Sequence, residues 1–330
     1  MPLDLVTLGE ALIDLPAQQS GVSLTDAASF AKVPAGAPAN VAVAAARLGL
    51  STAFVSKVGA DAFGTCVVQT FAGLGVDTSR VLQDPAARTG LAFVSVQPEG
   101  DRDFLFYFDP VRDLALHLSE IDLDWLETTR VFHYGSISLI AEPSRGTTLA
   151  AAAHLRTLGR AVCSYDPNLR PNLWPDASAM REGVMLGFAV ADIVKISAEE
   201  LRFLFSSTQS ETEAIRLLLG EYANLSLVAV TDGGAGSRGY TREGASADAA
   251  GYAVRFVDGT GAGDAYMAGL LTFLLRQGPD TRDTLDNFTP LLEDALHFAN
   301  ACGAIATTTL GATSQDLSDA SVQALLESSP

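Results

Sequence analysis

Short apolar runs and helical patterns alternate along most of this chain, and this alternation limits the folds that it can adopt. The first apolar run, Leu3 to Leu8, ends in Gly9-Glu10 and is typical of a buried strand that delivers polar groups at its carboxyl end. A stretch rich in Ala and Val runs from Pro38 to Leu48, with Gly49 behind it, and predicts a helix. Further strand and helix patterns follow at 52–58, 131–134, 144–158, 161–165, 193–196, 198–204, 211–222, 225–231 and 264–276. The alternation predicts an α/β fold of three layers, with a mostly parallel central sheet covered by helices on both faces.

Two stretches break this rhythm and predict a small β lid over the ligand end of the sheet. Residues 13–36 lack a helical period, and two β-rich runs, LAFVSV and FLFYF, flank a turn at Pro98-Glu99-Gly100-Asp101. We therefore assign 13–36 and 90–114 to the lid, and 1–12, 37–89 and 115–330 to the core. The two runs carry apolar groups on both faces, which predicts that the lid packs against a second copy of the chain as a homodimer.

The charge of the chain favours small ligands over nucleic acids and membranes. Its 330 residues include 21 Lys and Arg against 39 Asp and Glu, and the formal charge of −18 repels phosphate backbones and anionic lipids. The start MPLDLVTLGE lacks the basic segment of a signal peptide, and no apolar run reaches the roughly 18 residues that a membrane helix needs. The widely spaced cysteines and histidines predict neither a disulfide framework nor a structural zinc site. We expect a cytoplasmic protein with small-molecule partners and no nucleic acid or membrane partner.

The segment Gly261-Ala262-Gly263-Asp264 is the strongest candidate for chemistry. Small residues before an apolar helix let backbone N–H groups converge at a helix N-terminus, where they attract phosphoryl oxygens. Asp264, in the first turn, could then take a proton from an attacking hydroxyl. A plain helix-start turn explains the segment equally well, because glycine turns and first-turn aspartates are common.

A second glycine motif, at 234–239, matches G-x-G-x-x-G after the apolar run 225–231. A dinucleotide site would need a helix at this point, whereas the residues that follow predict a β-hairpin. The sequence also contains no G-x-x-x-x-G-K-[ST] motif, which excludes a P-loop enzyme.

Several segments together resemble one known family. They are Gly9-Glu10, GAPANVA at 36–42, FHYGS at 132–136, DPNLR at 166–170, KISAEE at 195–200 and GAGD at 261–264. In this order they resemble the PfkB (ribokinase-like) family of carbohydrate kinases, and bacterial fructokinases in particular. The resemblance covers nearly the whole chain. It implies a ribokinase-like fold and transfer of the γ-phosphate of ATP to a primary hydroxyl of a sugar.

The resemblance also implies roles for individual residues. Asp264 would be the catalytic base, and Gly261, Ala262 and Gly263 would form the anion hole. The predicted sugar ligands are Asp14, Gly36 and Asn40, to which we add Tyr107 and Arg170 as substrate-binding candidates. The predicted ATP site contains Lys195, Thr231, Gly233, Gly236 and Asn300. Glu200 would hold Mg²⁺ through water, and Asp258 and Thr260 would lie at a potassium site. Outside the resemblance, Asp14, Asn40, Lys195 and Glu200 have ordinary explanations at strand ends and helix starts.

Three positions depart from the pattern of the family. Ala35 replaces the first glycine of a pair, Gly259 replaces a threonine, and Ser197 replaces the asparagine of N-x-x-E. None of these changes removes a reacting group, so we still expect activity.

Four functions remain open on the sequence alone. Fructose, giving fructose 6-phosphate, is the first choice of acceptor, because the segments around 132–140 and 166–174 look like those of fructokinases. A 2-keto-3-deoxygluconate kinase would need an arginine for the carboxylate, for which Arg102, Arg112 and Arg170 are candidates. A nucleoside kinase could stack its substrate on Phe104, Phe106 and Tyr107. The alternative of a different class is a non-catalytic, fructokinase-like regulatory protein.

Overall fold

The computed structural model describes residues 3–19, 21–96, 102–313 and 316–328. The predicted turn at 98–101 lies outside these residues. The strands are Leu3–Leu8 (β1), Leu12–Pro16 (β2), Val33–Ala35 (β3), Thr52–Gly59 (β4), Val76–Asp84 (β5), Gly90–Val96 (β6), Arg102–Tyr107 (β7), Thr129–Gly135 (β8), Val162–Asp166 (β9), Ile193–Ser197 (β10), Leu227–Thr231 (β11), Gly236–Thr241 (β12) and Ser246–Ala250 (β13). The α-helices are Ala37–Arg47 (α1), Ala62–Gly73 (α2), Pro110–Asp113 (α3), Leu123–Leu126 (α4), Ser144–Leu158 (α5), Ala177–Phe188 (α6), Ala198–Leu204 (α7), Glu211–Glu221 (α8), Ala262–Arg276 (α9), Thr281–Asp286 (α10), Leu292–Ala306 (α11) and Asp319–Glu327 (α12).

In the described part of the chain, the central sheet has nine strands in the order β13-β12-β11-β10-β9-β8-β1-β4-β5. The seven strands from β11 to β5 in this order are parallel to one another, while β12 and β13 add an antiparallel hairpin at one edge. The parallel arrangement brings the carboxyl ends of β1, β8, β9, β10 and β11 to the same edge of the sheet. The hairpin also confirms that the glycine motif at 234–239 does not open an α-helix, because β12 begins at Gly236.

Both faces of the sheet are covered by helices, which confirms the predicted three layers. Side chains of a strand alternate between faces, so Val6 and Leu8 pack into one core with α5, α6, α7 and α8. Leu5 points to the other face and packs with helices that include α1, α9 and α11. Since both faces are buried, the inner strands are apolar throughout rather than alternating.

A second sheet of four described strands, in the order β3-β2-β6-β7, forms the predicted lid. Its strands come from the two predicted lid segments, except that β2 begins one residue earlier, at Leu12. Phe104 and Phe106 face a cavity between the lid and the core. Leu105 and Tyr107 alternate with them and point outward, with 47% and 62% of their surfaces exposed. The division into core and lid segments stays a prediction.

In the part of the chain that the structure describes, no helix is long and apolar enough to cross a membrane.

Candidate active site

A cavity of about 350 Å³ lies between the lid and the carboxyl edge of the central sheet. Ligands of open α/β sheets bind at this edge, because loops and helix N-termini converge there. The lining includes the predicted substrate-binding residues Asp14, Gly36, Asn40 and Arg170. The lining also includes Lys195, Asp258, Thr260, Gly261, Gly263 and Asp264. The fold therefore brings together residues that are up to 250 positions apart in the sequence.

Asp264 is the third residue of α9 and is 6% exposed. The helix begins at Ala262, after Gly261 has adopted a left-handed conformation with φ of 78° that favours glycine. The Asp264 carboxylate accepts a hydrogen bond from Asn40 Nδ2 at 2.8 Å and a longer one from Asn168 Nδ2 at 3.4 Å. Two amides on different elements thus fix the orientation of this carboxylate.

Burial raises the pKa of Asp264 above its ordinary value. The hydrogen bond from Asn40 and the positive charges of Lys195 and Arg170 lower it again, but do not cancel the effect of burial. Asp264 is therefore a stronger proton acceptor than an aspartate in water, which suits a general base.

The start of α9 lines the cavity through Gly261 and Gly263, beside Asp264. The first turn of a helix has no intrahelical acceptors for its N–H groups, and the helix dipole adds positive potential there. The N–H of Ala262 donates to the Gly259 carbonyl at 3.3 Å, so the turn itself uses this donor. Gly263 lies against Lys195, since a Cβ atom at position 263 would come within 2.8 Å of Lys195 Nζ. The glycine therefore lets the ammonium group lie beside the helix start.

Lys195 is 5% exposed and forms an ion pair with Asp166, with 2.9 Å between Nζ and Oδ2. Burial alone would lower the pKa of Lys195, but Asp166, Glu200 and Asp264 raise it above its ordinary value. Burial raises the pKa of Asp166 to about 7 despite this partner. The structure thus buries a charged ammonium group beside the predicted phosphate site.

Gly36 and Asn40, two of the predicted sugar ligands, lie at the start of α1 and line the cavity. Gly36 has φ of 141°, and a Cβ atom there would come within 2.2 Å of the Glu10 carbonyl oxygen. The Asn40 side-chain amide donates a hydrogen bond to Asp264. Its Oδ1 is buried without a hydrogen-bond partner in the described residues. An acceptor left unpaired beside a cavity is available to a ligand hydroxyl.

Glu10 is a site residue to which the sequence analysis gave no role. It follows β1, lines the cavity, and its Oε1 accepts a hydrogen bond from the Ala37 N–H at 2.9 Å. Burial raises its pKa to about 7, with Asp264 adding to the effect, while backbone hydrogen bonds and Arg170 oppose it. Its position directly after a buried strand, at the ligand edge of the sheet, was the signal that could have identified it.

Asn168 and Asp166 were also without a predicted role, although both belong to the DPNLR segment. They end β9 and begin the loop behind it, where Asn168 adopts φ of 42°. This left-handed conformation, which asparagine tolerates better than most residues, directs the amide toward Asp264. Arg170 in the same loop lines the cavity and donates to the Leu169 carbonyl at 2.9 Å.

Glu200 holds two backbone segments together. Its Oε1 accepts from the Leu169 N–H at 2.7 Å, and its Oε2 accepts from the Ser197 N–H at 2.8 Å. Ser197 in return caps α7 by accepting from the Glu200 N–H, so serine can replace asparagine here without loss of the cap. Glu200 does not line the cavity wall directly, and its role toward Mg²⁺ stays a prediction.

Asp258 ties two loops together at the cavity wall. Its Oδ1 accepts from the N–H and the hydroxyl of Thr260 at 3.0 and 2.8 Å, and its Oδ2 accepts from the Gly311 N–H at 3.0 Å. The described residues contain no cluster of three or more His, Cys, Asp or Glu side chains that could hold a metal ion.

Several predicted residues lie outside the cavity. Tyr107 faces outward and packs its ring against Phe93, because β7 turns alternate residues to opposite faces. Asn300 is buried and donates to the carbonyls of Ala249 and Ala250 at 2.9 and 3.2 Å, so its amide fixes the end of β13. The side chains of Arg102 and Arg112 are not described. The remaining predicted ATP-site residues, Thr231, Gly233 and Gly236, lie at and just beyond the carboxyl end of β11.

A family model described as pfkB family carbohydrate kinase matches residues 3–319. The chain belongs to the pfkB family of carbohydrate kinases. This confirms the family predicted from the motifs and the classification as a phosphotransferase that acts on a sugar hydroxyl.

Individual relatives point to one branch of this pfkB family. Fructokinase-2 of Zea mays is 42% identical over 307 residues, which cover 93% of this chain and 89% of that protein. The crystal structure of a Xylella fastidiosa fructokinase with bound ATP matches with a TM-score of 0.89 and 32% identity, over 99% of both chains. A double-mutant fructokinase from Vibrio cholerae O395, solved with fructose, ADP and a potassium ion, matches with a TM-score of 0.83 and 36% identity, over 98% of this chain and 99% of that one. The predicted ribokinase-like fold and the resemblance to fructokinases are therefore confirmed.

Proposed function

We propose that this pfkB-family kinase transfers the γ-phosphate of ATP to the primary hydroxyl of fructose and produces fructose 6-phosphate. The observation that carries the proposal is the contact between Asn40 and Asp264 beside the start of α9, with Lys195 against Gly263. This arrangement offers a hydrogen-bonding site for sugar hydroxyls, a base and an anion site in one cavity. The fructokinases among the relatives, one solved with fructose and ADP, support fructose as the acceptor.

The reaction assigns one task to each part of the site. The sugar hydroxyl oxygen attacks the γ-phosphorus, the bond from that phosphorus to the bridging oxygen breaks, and ADP leaves. Asp264 accepts the hydroxyl proton, which its raised pKa favours. The helix start of α9 and the Lys195 ammonium stabilise the negative charge on the phosphoryl oxygens. Closure of the lid would exclude water and so suppress hydrolysis of ATP.

The proposed reaction also uses two cations, Mg²⁺ and K⁺. Mg²⁺ takes few protein ligands and would arrive with the ATP phosphates, whose charge it neutralises. Each Glu200 oxygen is engaged with one backbone N–H, and a carboxylate oxygen can accept a second hydrogen bond from a metal-bound water. Asp258 and Thr260 offer oxygen donors at the cavity wall, which suits a potassium ion. The potassium ion in the Vibrio cholerae fructokinase supports this assignment.

A coupled assay of ADP release tests the proposed function. Fructose, 2-keto-3-deoxygluconate, ribose and adenosine are compared as acceptors at equal concentrations, with Mg²⁺ and either K⁺ or Na⁺. We expect the highest kcat/KM with fructose and a higher rate in K⁺. Preference for 2-keto-3-deoxygluconate would favour the alternative acceptor, for which Arg170 in the cavity wall could bind the carboxylate. No ADP with any acceptor would favour a regulatory protein.

The exposed outer face of the lid supports a homodimer. Leu105 and Tyr107 present apolar surface on β7 and would be covered by a second copy. Light scattering after size-exclusion chromatography should give twice the mass of the chain, and Leu105→Glu should give the mass of a monomer. A cytoplasmic location remains part of the proposal.

A further inference from the structure

The start of α1 has none of the usual helix caps on its own segment. Gly36 at the N-cap position has no side chain, and the first turn contains no acidic residue. Helix N-termini leave their first N–H groups without intrahelical acceptors, and buried ones need partners. The missing acceptor for Ala37 comes from Glu10, 27 residues earlier in the chain, through its Oε1 at 2.9 Å.

The packing around Glu10 leaves this segment little freedom. The Glu10 carbonyl oxygen leaves no room for a side chain at position 36, because a Cβ atom there would come within 2.2 Å of it. The neighbouring Gly9 lies against Pro38, since a Cβ atom at position 9 would come within 2.5 Å of Pro38 Cγ. The Gly9-Glu10 pair therefore contacts the first turn of α1 in two ways, by close van der Waals packing and by a hydrogen bond.

The first turn of α1 carries the groups that face the acceptor. The Asn40 N–H closes this turn on the Gly36 carbonyl at 2.8 Å, and the Asn40 side chain reaches Asp264. A shift at Ala37 would therefore move Gly36 and Asn40 together. Hydrogen bonds weaken steeply when their geometry departs from the ideal, so a shift of both residues would reduce the binding of a sugar.

We propose that Glu10 is a positioning residue for the sugar: its carboxyl group caps α1 from outside the helix and so sets the places of Gly36 and Asn40. The side chain is 2% exposed, and its second oxygen, Oε2, is buried with no hydrogen-bond partner in the described structure. A buried carboxyl group with one unpaired oxygen is costly, which indicates a functional rather than a stabilising role. The inference rests on the proposed function, because it assumes that a sugar occupies this side of the cavity.

The length of the side chain, rather than its charge, is what this role requires. In Glu10→Gln the amide oxygen can still accept from the Ala37 N–H, whereas Glu10→Asp keeps the carboxyl group but is one methylene too short to reach. We expect Glu10→Asp to raise the KM for fructose by about 10-fold or more, and Glu10→Gln to stay within about 3-fold of the wild type. The KM for ATP should change by less than about 2-fold in both variants, because the predicted ATP-site residues belong to other elements. Lys195 lies on β10, and the predicted nucleotide loop follows β11.

Steady-state kinetics with fructose and ATP, together with isothermal titration of fructose without ATP, measure these effects. Glu293→Gln, at an exposed acid in the first turn of α11, serves as the matched control. Normal fructose affinity in Glu10→Asp, or a loss in Glu10→Gln that Glu10→Asp does not share, would overturn the positioning role. A wild-type protein without activity on any sugar would overturn the proposed function as well, so the two failures are distinguishable.

Discussion

Glu10 and Asp264 line the same cavity, and both carboxyl groups are almost inaccessible to solvent. Burial makes each of them a weaker acid, but with different consequences. Asp264 has two amide donors and can act on a ligand, while Glu10 caps α1 and has one oxygen without a partner among the described residues. At the scale of single residues, protonation of each group should therefore be visible in a different measurement.

Protonation of Glu10 should appear in the stability of the protein. Its pKa rises from 4.5 to about 7 on folding, so the stabilisation is present below pH 4.5 and is lost as the pH rises through about 7. Arg170 and Asp264 are the charged groups that act on it. Glu10→Gln cannot ionise, so its free energy of unfolding relative to the wild type should increase by about 3 kcal/mol between pH 4.5 and pH 8. Urea unfolding at several pH values measures this difference, and a difference independent of pH would contradict it.

Protonation of Asp264 should appear in the rate. The base must be ionised, so kcat should fall at acid pH, beginning at a higher pH than for an ordinary aspartate. The hydrogen bond from Asn40 opposes this rise in pKa. In Asn40→Ala the acid limb of the kcat profile should therefore move to higher pH. An acid limb that stays in place or moves to lower pH would argue against Asp264 as the titrating base.

At the scale of elements, the start of α9 depends on Gly263. An added methyl group would meet the Lys195 ammonium at 2.8 Å and displace it from the helix start. We expect Gly263→Ala to lower kcat by about 10-fold or more, since the loss of one stabilising group in a phosphate site has effects of this order. Gly220→Ala is the matched control, because Gly220 lies in α8 with nothing within 4 Å of the added atom. It should keep full activity and gain about 0.5–1 kcal/mol of stability. Equal kcat in both variants would contradict the close packing of Lys195.

Most of the strands and helices around the site could be predicted from the sequence, but some elements could not. The alternation of patterns predicted the parallel sheet, the hairpin after β11 and a helix that carries Asp264, although α9 begins two residues before the predicted start at 264. The segments that form α2 and β5 were not predicted from the sequence. β5 lies at the edge of the sheet with exposed residues along its length, so it lacks the apolar run that marks the inner strands.

Site residues were predictable where their chemistry is local to a motif. Asp264 and Gly261 belong to one such segment, and Asn40 to another. Glu10 and Asn168 act through contacts that span 27 and 96 residues, respectively, and no pattern within either segment indicates those partners. Tyr107 was predicted from its residue type, and the alternation of β7 turns it away from the cavity.

At the scale of the whole molecule, the cavity lies at the carboxyl edge of the central sheet, and a buried ionic network lies at the amino edge. Asp192 directly precedes β10, at the edge away from the cavity, and is 2% exposed. It accepts two hydrogen bonds from Arg282 at 2.9 Å, a longer one from Arg156 at 3.4 Å, and one from the Cys163 N–H at 2.7 Å. Such a network joins β9, β10, α5 and α10 around one buried charge.

Removing this charge should therefore destabilise the protein without changing the site. Asp192→Ala leaves Arg282 partly buried without its partner, and we expect it to lower the free energy of unfolding by about 3–5 kcal/mol. The KM values of the folded fraction should equal those of the wild type. Thermal unfolding and kinetics below the transition measure both quantities. An altered KM for fructose would show that the two edges are coupled.

The kcat of Asp264→Asn with fructose and ATP tests the central claim most directly. Asparagine keeps the size of the side chain and an oxygen for the Asn40 amide, but it cannot accept the proton. Asp283→Asn is the matched control, because Asp283 is likewise the third residue of its helix, α10, but is exposed. We predict that Asp264→Asn lowers kcat by about 10²- to 10⁴-fold while Asp283→Asn leaves it unchanged. An Asp264→Asn enzyme that phosphorylates fructose as fast as the wild type would contradict the account.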